Sequence, residues 1–264
     1  MMRLSSRMLF PGSLARKVLV CVAVGSLGFG ASARADIVVQ DPPPPDRAVS
    51  ASANIDSNFD SQSFLFSSGA GFTNNALASV SVGGIASATA DQDSDIPNLT
   101  GPTMSGTGSV TGSAIVDAGA TGAYSASSFF DVFFRVDLSQ NYNFTGFVAY
   151  DDPSPPNFGE SSVVLQDVSN GNNLYVAFVD WQNPNVVNFA ELVTLNTGTL
   201  YRLTIYSTTA TEGVVEGDFS FGSGSWGFNL GPQGGAVPEP SSVILLGIGG
   251  LAGLVVARRR RNRS

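Results

Sequence analysis

The sequence predicts an all-β protein, with a single antiparallel β-sandwich of jelly-roll type over residues 48–230. Short runs of alternating apolar and polar residues recur there between clusters of Gly, Asn, Asp and Pro, which is typical of strands joined by turns. No stretch of ten or more residues shows an apolar stripe of helical period. About 180 residues suffice for one sizeable core, so we expect one domain and regard two as the less favoured alternative.

The N-terminal end has the features of a secretory signal peptide. Four basic residues precede the apolar stretch Val18 to Gly30, and Ala33-Arg34-Ala35 has the small-x-small pattern of a cleavage site. We predict a signal helix within residues 1–35 and cleavage between Ala35 and Asp36, with Ala31-Ser32-Ala33 as a second possible site. A permanent anchor is disfavoured because the apolar stretch is too short to span a bilayer.

Residues 36–47 contain the run Pro42-Pro43-Pro44-Pro45. Such a run favours an extended polyproline II conformation. We interpret this segment as a leader outside the core, and a ligand role for the prolines is the less favoured alternative.

The clearest predicted strand has alternating faces. One face is apolar and the other carries charges: Phe130, Val132, Phe134, Val136 and Leu138 against Asp131, Arg135 and Asp137. Phe129 and Phe133 interrupt the charged face, so we expect part of that face to be covered.

Seven further strands are predicted in the second half of the chain: Phe144–Tyr150, Ser162–Asp167, Leu174–Trp181, Val187–Leu195, Leu200–Ser207, Val214–Phe221 and Ser225–Leu230. Leu174–Trp181 is apolar on both faces, which indicates a central strand. Asn170-Gly171 and Asn196-Thr197-Gly198 are predicted to be hairpin turns, and short turns imply an antiparallel sheet.

Residues 48–124 alternate mostly through small residues, as in Ile85-Ala-Ser-Ala-Thr-Ala90, and are rich in glycine. Small side chains bury little apolar area. We therefore expect either edge strands that cover one side of the sandwich or flexible loops.

The body of the chain is strongly acidic. From Asp36 to Asp218 it carries twenty Asp and Glu against only Arg47, Arg135 and Arg202, a formal charge of −17. This charge disfavours nucleic acids and anionic membrane surfaces and favours divalent cations. The chain has no histidine, and Cys21 in the signal peptide is its only cysteine. Ser-His-Asp catalysis, Cys-His catalysis and histidine-ligated metals are thereby excluded.

One acidic motif suggests a metal site. Asp91, Asp93 and Asp95 have the spacing with which a calcium loop begins, but Ile96 and Pro102 stand where an EF-hand needs Gly and Glu. A solvated acidic loop is the favoured interpretation. We therefore expect no cofactor, with calcium as the only candidate.

Two tryptophans, Trp181 and Trp226, are candidates for stacking against sugar rings, although a place in the core or at its rim is the favoured interpretation. Gly222-Ser-Gly-Ser-Trp-Gly227 matches Gly-x-Gly-x-x-Gly, but no helix pattern follows. A phosphate-binding turn needs that helix, so we reject a dinucleotide site.

The C-terminal end has three consecutive parts after a Gly-rich linker at residues 231–236. Val237-Pro238-Glu239-Pro240-Ser241-Ser242 is followed by the apolar run Val243 to Ala257 and then by Arg258, Arg259, Arg260 and Arg261. The run predicts a single transmembrane helix about 22 Å long, short for a hydrocarbon core of about 30 Å. The arginines form a basic stop that stays cytoplasmic.

In this order, the three parts at residues 237–264 resemble the PEP-CTERM sorting signal of Gram-negative bacteria, with Pro238, Glu239 and Pro240 as its motif. The resemblance implies export, transient membrane insertion through the tail and recognition by an exosortase-type membrane enzyme. It also implies removal of the tail near the motif and release to the cell surface or the extracellular matrix. An ordinary C-terminal membrane anchor is the alternative.

For the function we expect an exported, non-catalytic surface or matrix protein associated with exopolysaccharide or biofilm, without nucleic-acid partners. One alternative is a carbohydrate-binding module. The other is a glycoside hydrolase, which needs only two carboxylates and therefore does not depend on histidine.

Overall fold

The computed structural model describes residues 35–40, 46–66, 71–97, 100–151, 157–216 and 218–233. All of them belong to one unit, Arg34–Gln233. These described residues form strands and no helix. The strands are β1 (Ile37–Val39), β2 (Asp46–Ile55), β3 (Asn58–Phe66), β4 (Phe72–Val80), β5 (Gly84–Asp95), β6 (Thr100–Gly101), β7 (Met104–Val116), β8 (Thr121–Val136), β9 (Gln140–Asp151), β10 (Asn157–Asp167), β11 (Asn172–Asp180), β12 (Asn185–Leu195), β13 (Tyr201–Val215) and β14 (Phe219–Pro232).

The strands form two antiparallel sheets, as expected of a β-sandwich. Sheet A runs in the order β11-β10-β13-β8-β1-β6, and β2 pairs with β8 beside β1 while β3 pairs with β2. Sheet B runs in the order β12-β9-β14-β7-β5-β4. The long strand β8 has room for both β1, at Phe134–Val136, and β2, at Gly122–Asp131.

Over the last eight strands the chain passes from one sheet to the other at every connection except the β10–β11 hairpin, which stays in sheet A. Sheet B contains the order β7-β14-β9-β12 and sheet A the order β8-β13-β10-β11, which is a double-sheet arrangement of the jelly-roll kind. One predicted hairpin is therefore wrong. Asn196-Thr197-Gly198 does form a turn, with Gly198 at φ +84°, but it connects β12 of sheet B to β13 of sheet A.

Two apolar clusters lie between the sheets. The larger one is aromatic and includes Phe130, Phe134, Phe144, Tyr142 and Trp226. The smaller one consists mainly of alanines on β2, β4, β5 and β7, with Tyr124 as its largest member. The small-residue strands are thus buried and paired, and the loop alternative for residues 48–124 is wrong where the structure describes them.

β8 confirms the alternation predicted for it. Phe130, Val132, Phe134 and Val136 are buried, whereas Leu138 lies beyond the strand. On the other face, the guanidinium of Arg202 lies 5.2 Å from the Phe133 ring centroid and forms a bidentate ion pair with Asp131. The charged face is therefore partly covered, as expected.

Three predicted boundaries or positions are wrong. Leu174–Trp181 is not central, because β11 is the edge strand of sheet A. Val214–Phe221 is not one strand, because β13 ends at Val215 and β14 begins at Phe219. β14 continues without a break between Phe221 and Ser225, where two separate strands were predicted. It ends at Pro232 and so includes the first two residues of the predicted linker.

The described ends of the segment predicted to be a leader, residues 36–40 and 46–47, belong to the body, whereas the proline run at 42–45 lies outside the described residues. Ile37 is completely buried, and β1 pairs with β8 and β6. Arg47, at the other end of the segment, is buried with its guanidinium 4.9 Å from the Phe66 ring centroid and 5.5 Å from that of Phe72. Burial lowers the pKa of Arg47 to about 10.

Candidate functional site

A groove of about 700 Å³ lies on the outer face of sheet B, the face turned away from sheet A. Its walls come from neighbouring positions on adjacent strands. Thr73, Asp93 and Thr107 form one row across β4, β5 and β7, and a second row contains Asn75, Asp91, Ser109 and Ser225. Most of the lining residues are therefore polar and supply carboxylates, hydroxyls and amides.

The acidic motif supplies the two carboxylates of the groove, Asp91 and Asp93. They lie on strand β5, so the favoured interpretation of the motif as a solvated loop is wrong. Asp91, Asp93 and Asp95 alternate along β5 with the buried Gln92 and Ser94, so their side chains follow one face at intervals of about 7 Å. Among the described residues no group of three potential acidic ligands is close enough to hold a metal ion. Calcium binding stays a prediction.

Neighbouring donors hold the two groove carboxylates in place. Thr73 Oγ1 donates to Asp93 Oδ1 at 2.8 Å, and Ser109 Oγ donates to Asp91 Oδ2 at 3.1 Å. Asn75 Nδ2 also donates to Asp91 Oδ1. Both carboxylates thus serve as acceptors in a network of neutral donors.

Phe147 supplies the apolar part of the groove. It lies on β9 opposite Gly227 of β14, and its ring occupies the space that a side chain at Gly227 would need. The groove therefore combines aromatic side chains with hydrogen-bonding groups of both kinds. Sequence analysis missed Phe147, Thr73 and Ser109. The alternation around Asp91 was the available signal, because it would have placed the acids on a strand.

Trp226 lies in the core, which agrees with the favoured interpretation, and it is also among the residues that line the groove. It is completely buried in the aromatic cluster, so both faces of its ring are covered. Gly106 and Gly108 on β7 leave the space that its indole fills. Its Nε1 has no hydrogen-bond partner among the described residues.

Trp181 is not among the residues that line the groove and lies just after β11 at the edge of sheet A. It is 38% exposed and makes an edge-to-face contact with Phe158, at 5.8 Å between ring centroids. Phe158 itself is 52% exposed. The two rings form a small exposed aromatic pair, and sugar stacking at Trp181 stays a prediction.

The glycine pattern on β14 has a structural explanation. Gly222 and Gly224 point between the sheets, where Tyr124, Tyr150 and several hydroxyls fill the space. Tyr124 Oη donates to Asn157 Oδ1 at 3.0 Å, and Tyr150 Oη lies 3.2 Å from Thr209 Oγ1. These glycines therefore make room for a buried polar network between the two apolar clusters.

The predicted signal-peptide cleavage site lies at the edge of the described chain. Ala35 is only 4% exposed, and the Asp36 amide donates to Asp137 Oδ1 at 2.7 Å. The signal helix, the sorting residues Pro238, Glu239 and Pro240, the predicted helix 243–257 and Arg258–Arg261 lie outside the described residues. No helix among the residues that are described could span a membrane.

Comparison with known proteins identifies the C-terminal tail. Residues 236–261 match the PEP-CTERM protein-sorting motif, which confirms the resemblance found in the sequence. Such a motif indicates an exported protein of a Gram-negative bacterium that an exosortase-type membrane enzyme processes. No curated protein matches the chain.

Three solved structures have low similarity to this chain. One, described as "CBM4 structure and function", is 10% identical over 47% of this chain and 71% of that chain, with a TM-score of 0.24. The others are of infectious bursal disease virus. The Gx strain is 13% identical over 77% of this chain and 71% of that chain (TM-score 0.24), and the Gt strain 12% identical over 84% and 75% (TM-score 0.18). At such TM-scores these likenesses support no conclusion.

Proposed function

We propose that this protein is a non-catalytic component of the cell surface or extracellular matrix, delivered there through its C-terminal tail. The sorting motif at residues 236–261 carries the proposal. The acidic, cysteine-free body and the absence of histidine from the sequence support it, because they fit an exported, soluble and chemically inert domain.

The test is to recover the protein from surface, matrix and inner-membrane fractions of its host and to determine intact mass and terminal peptides. We expect a chain that begins at Asp36, ends near Pro238 to Pro240 and leaves the inner membrane. Glu239→Gln should reduce this processing. Glu216→Gln, the same change outside the motif, is the control. A chain that keeps residues 243–261 and stays in the inner membrane would instead show that the tail is an ordinary membrane anchor.

A second candidate function is binding of a polysaccharide in the sheet B groove. Sugar hydroxyls both donate and accept hydrogen bonds, and one flat face of a pyranose ring is apolar. The groove offers Asp91 and Asp93 as acceptors, Thr107 and Ser225 as hydroxyls, and Phe147 as an apolar surface. This combination favours a sugar chain as the ligand.

Affinity electrophoresis in gels containing the host's polysaccharide tests this candidate. We expect Asp91→Asn and Asp93→Asn each to weaken retention about tenfold, since each removes a charged acceptor. Asp218→Asn changes the charge equally at a turn outside the groove and should have no effect. If retention is weakened by Trp181→Ala and by neither aspartate substitution, the sugar binds at the Trp181–Phe158 pair instead of the groove.

The groove carboxylates do not favour hydrolysis. A glycosidase needs one protonated carboxyl as general acid, usually in apolar surroundings. Asp91 and Asp93 instead accept hydrogen bonds from hydroxyl and amide donors. We therefore expect no release of reducing sugar from a polysaccharide panel, and release that Asp91→Asn abolishes would reverse this proposal.

A further inference from the structure

The groove of sheet B runs across the strands and not along them. Its lining residues come from β4, β5, β7, β14 and β9, which are consecutive in the order of the sheet. Because adjacent strands lie about 4.8 Å apart, these five strands span about 19 Å. A groove of this length suits a chain of several sugar rings and not a single sugar.

The two rows of side chains described above form the walls of the groove. Positions i and i+2 of one strand lie about 7 Å apart, so this is also the distance between the rows. Between the rows lie Gln92 and Trp226, which are buried and direct their side chains towards sheet A. The floor is therefore mainly backbone, and the groove extends from β4 to β9.

The charges of the groove are all negative. Asp91 and Asp93 are the charged residues among its described lining. The body has no lysine, and its three arginines lie on strands of sheet A: Arg47 on β2, Arg135 on β8 and Arg202 on β13. No described cation is thus placed to bind an acidic polysaccharide in the groove, and the two aspartates would repel one.

A glycan with an amine on every ring matches the groove poorly as well. The carboxylates lie on one strand of the five, and the other four contribute hydroxyls, amides and aromatic rings. Asp91 already accepts hydrogen bonds from Asn75 and Ser109, and Asp93 accepts one from Thr73. Their remaining lone pairs suit the hydroxyl donors of an uncharged sugar.

We propose that the groove binds a neutral glycan chain, laid across the strands so that several of its rings contact the protein at once. This inference rests on the proposed binding of polysaccharide in the groove, and it adds the charge of the glycan and its direction. Asp91 and Asp93 accept hydrogen bonds from sugar hydroxyls at β5, and Phe147 packs against an apolar ring face at β9.

Affinity electrophoresis tests the charge of the glycan. The host's matrix polysaccharide is separated by ion exchange into neutral, acidic and amine-bearing fractions, and the full chain in nonionic detergent is run in gels that contain each. We expect retention by the neutral fraction that Asp91→Asn weakens about tenfold and that the control Asp218→Asn leaves unchanged. Stronger retention by a charged fraction, weakened by Asp91→Asn, would overturn the neutral glycan but keep the groove as a sugar site. Retention by no fraction would reject both proposals.

Variants on the outer face of sheet B test the direction of the chain. Phe147→Ala changes the β9 end of the groove and should weaken retention about tenfold. Thr107→Lys places a long side chain between the walls and should abolish retention. Thr111→Lys is the matched control, because Thr111 is also exposed on β7 but lies outside the groove. Equal loss in the two lysine variants would show a chain that follows β7, and unchanged retention in Phe147→Ala would show that the chain does not reach β9. Either result would overturn the proposed direction.

Discussion

Two large side chains in the core, Tyr142 and Trp226, have a polar atom without a hydrogen-bond partner among the described residues. Tyr142 is completely buried on β9. Burial, and then the negative charges of Asp137 and Asp36, raise the pKa of Tyr142 to about 12. Tyr150 on the same strand differs, because its hydroxyl contacts Thr209.

This contrast predicts opposite effects of one substitution. Tyr142→Phe removes an unsatisfied buried hydroxyl and should raise the free energy of unfolding by about 1 kcal/mol. Tyr150→Phe removes a bonded hydroxyl and should lower it by about 1 kcal/mol. Urea unfolding at neutral pH measures the free energy of unfolding of each variant. Equal destabilisation of the two variants would show that the Tyr142 hydroxyl has a hydrogen-bond partner.

The raised pKa of Tyr142 also predicts a loss of stability in alkali. The tyrosine ionises near pH 10 in the unfolded chain and near pH 12 in the folded one, so the unfolded chain loses its proton first. Its contribution is complete below pH 10 and is lost as the pH rises from about 10 to 12. The unfolding free energy of Tyr142→Phe should therefore fall less steeply over this range than that of the parent protein.

At the scale of elements, β14 shows why glycine need not interrupt a strand. Gly222 pairs with β7, and a methyl group there would overlap Thr209 Oγ1 and crowd the hydroxyls of Tyr124 and Tyr150. Gly222→Ala should thus destabilise the fold by about 2 kcal/mol. Gly71→Ala, at a position with open space, is the control and should change stability by less than about 0.5 kcal/mol. Thermal or urea unfolding distinguishes the two.

Side chains of β3 cap the backbone of β4: Asp60 Oδ2 accepts from the Ser79 amide at 2.9 Å, and Gln62 Oε1 accepts from the Leu77 amide at 2.8 Å. This contact leads to a prediction about association. Asp60→Ala with Gln62→Ala leaves the Ser79 and Leu77 amides of an edge strand uncapped. We expect a loss of about 1–2 kcal/mol and association that increases with concentration. As a control, Ser61→Ala with Ser63→Ala changes the alternate positions of the same strand. This double variant should neither lose stability nor associate. Light scattering and urea unfolding are the measurements, and equal behaviour of the two double variants would reject the capping role.

Local pattern was sufficient to predict many of the strands but not their neighbours. The alternation of β8 and the Asn170-Gly171 turn between β10 and β11 follow from residues close in sequence, and both are confirmed. The edge position of β11 depends on which strands pair, and this cannot be read from local sequence. Because the outer face of β11 is apolar, its sequence pattern is the same as that of a strand buried on both faces. Likewise, the sequence favoured the core or its rim for both tryptophans, but only the fold, which places Gly106 and Gly108 beside Trp226, distinguishes the buried Trp226 from the half-exposed Trp181.

The site was predictable to a similar extent. The spacing of Asp91, Asp93 and Asp95 indicated a shared environment, but a period of two also describes one face of a strand. Phe147 is more than fifty positions away in sequence and reaches the groove through β14. The tail was recognisable without any fold, because its three parts are consecutive.

At the scale of the whole molecule, we expect charge to affect stability. Between Asp36 and Asp218 the chain has twenty carboxylates against three arginines, of which Arg202 forms an ion pair with Asp131. Added NaCl should therefore raise the melting temperature by screening repulsion. If Asp91, Asp93 and Asp95 bind calcium, millimolar CaCl₂ at matched ionic strength should raise it further, and Asp93→Asn should abolish the extra increase. Identical melting curves in the two salts would reject specific binding.

The position of β14 also determines how the body would respond to mechanical load. The chain passes from β14 directly towards the sorting tail. This strand is paired on both sides, with β7 from Phe219 to Leu230 and with β9 from Ser223 to Pro232. A force directed along β14 would load both ladders in shear, so their hydrogen bonds would share the force instead of opening one after another. β14 thus connects the tail to the centre of sheet B through two hydrogen-bonded ladders.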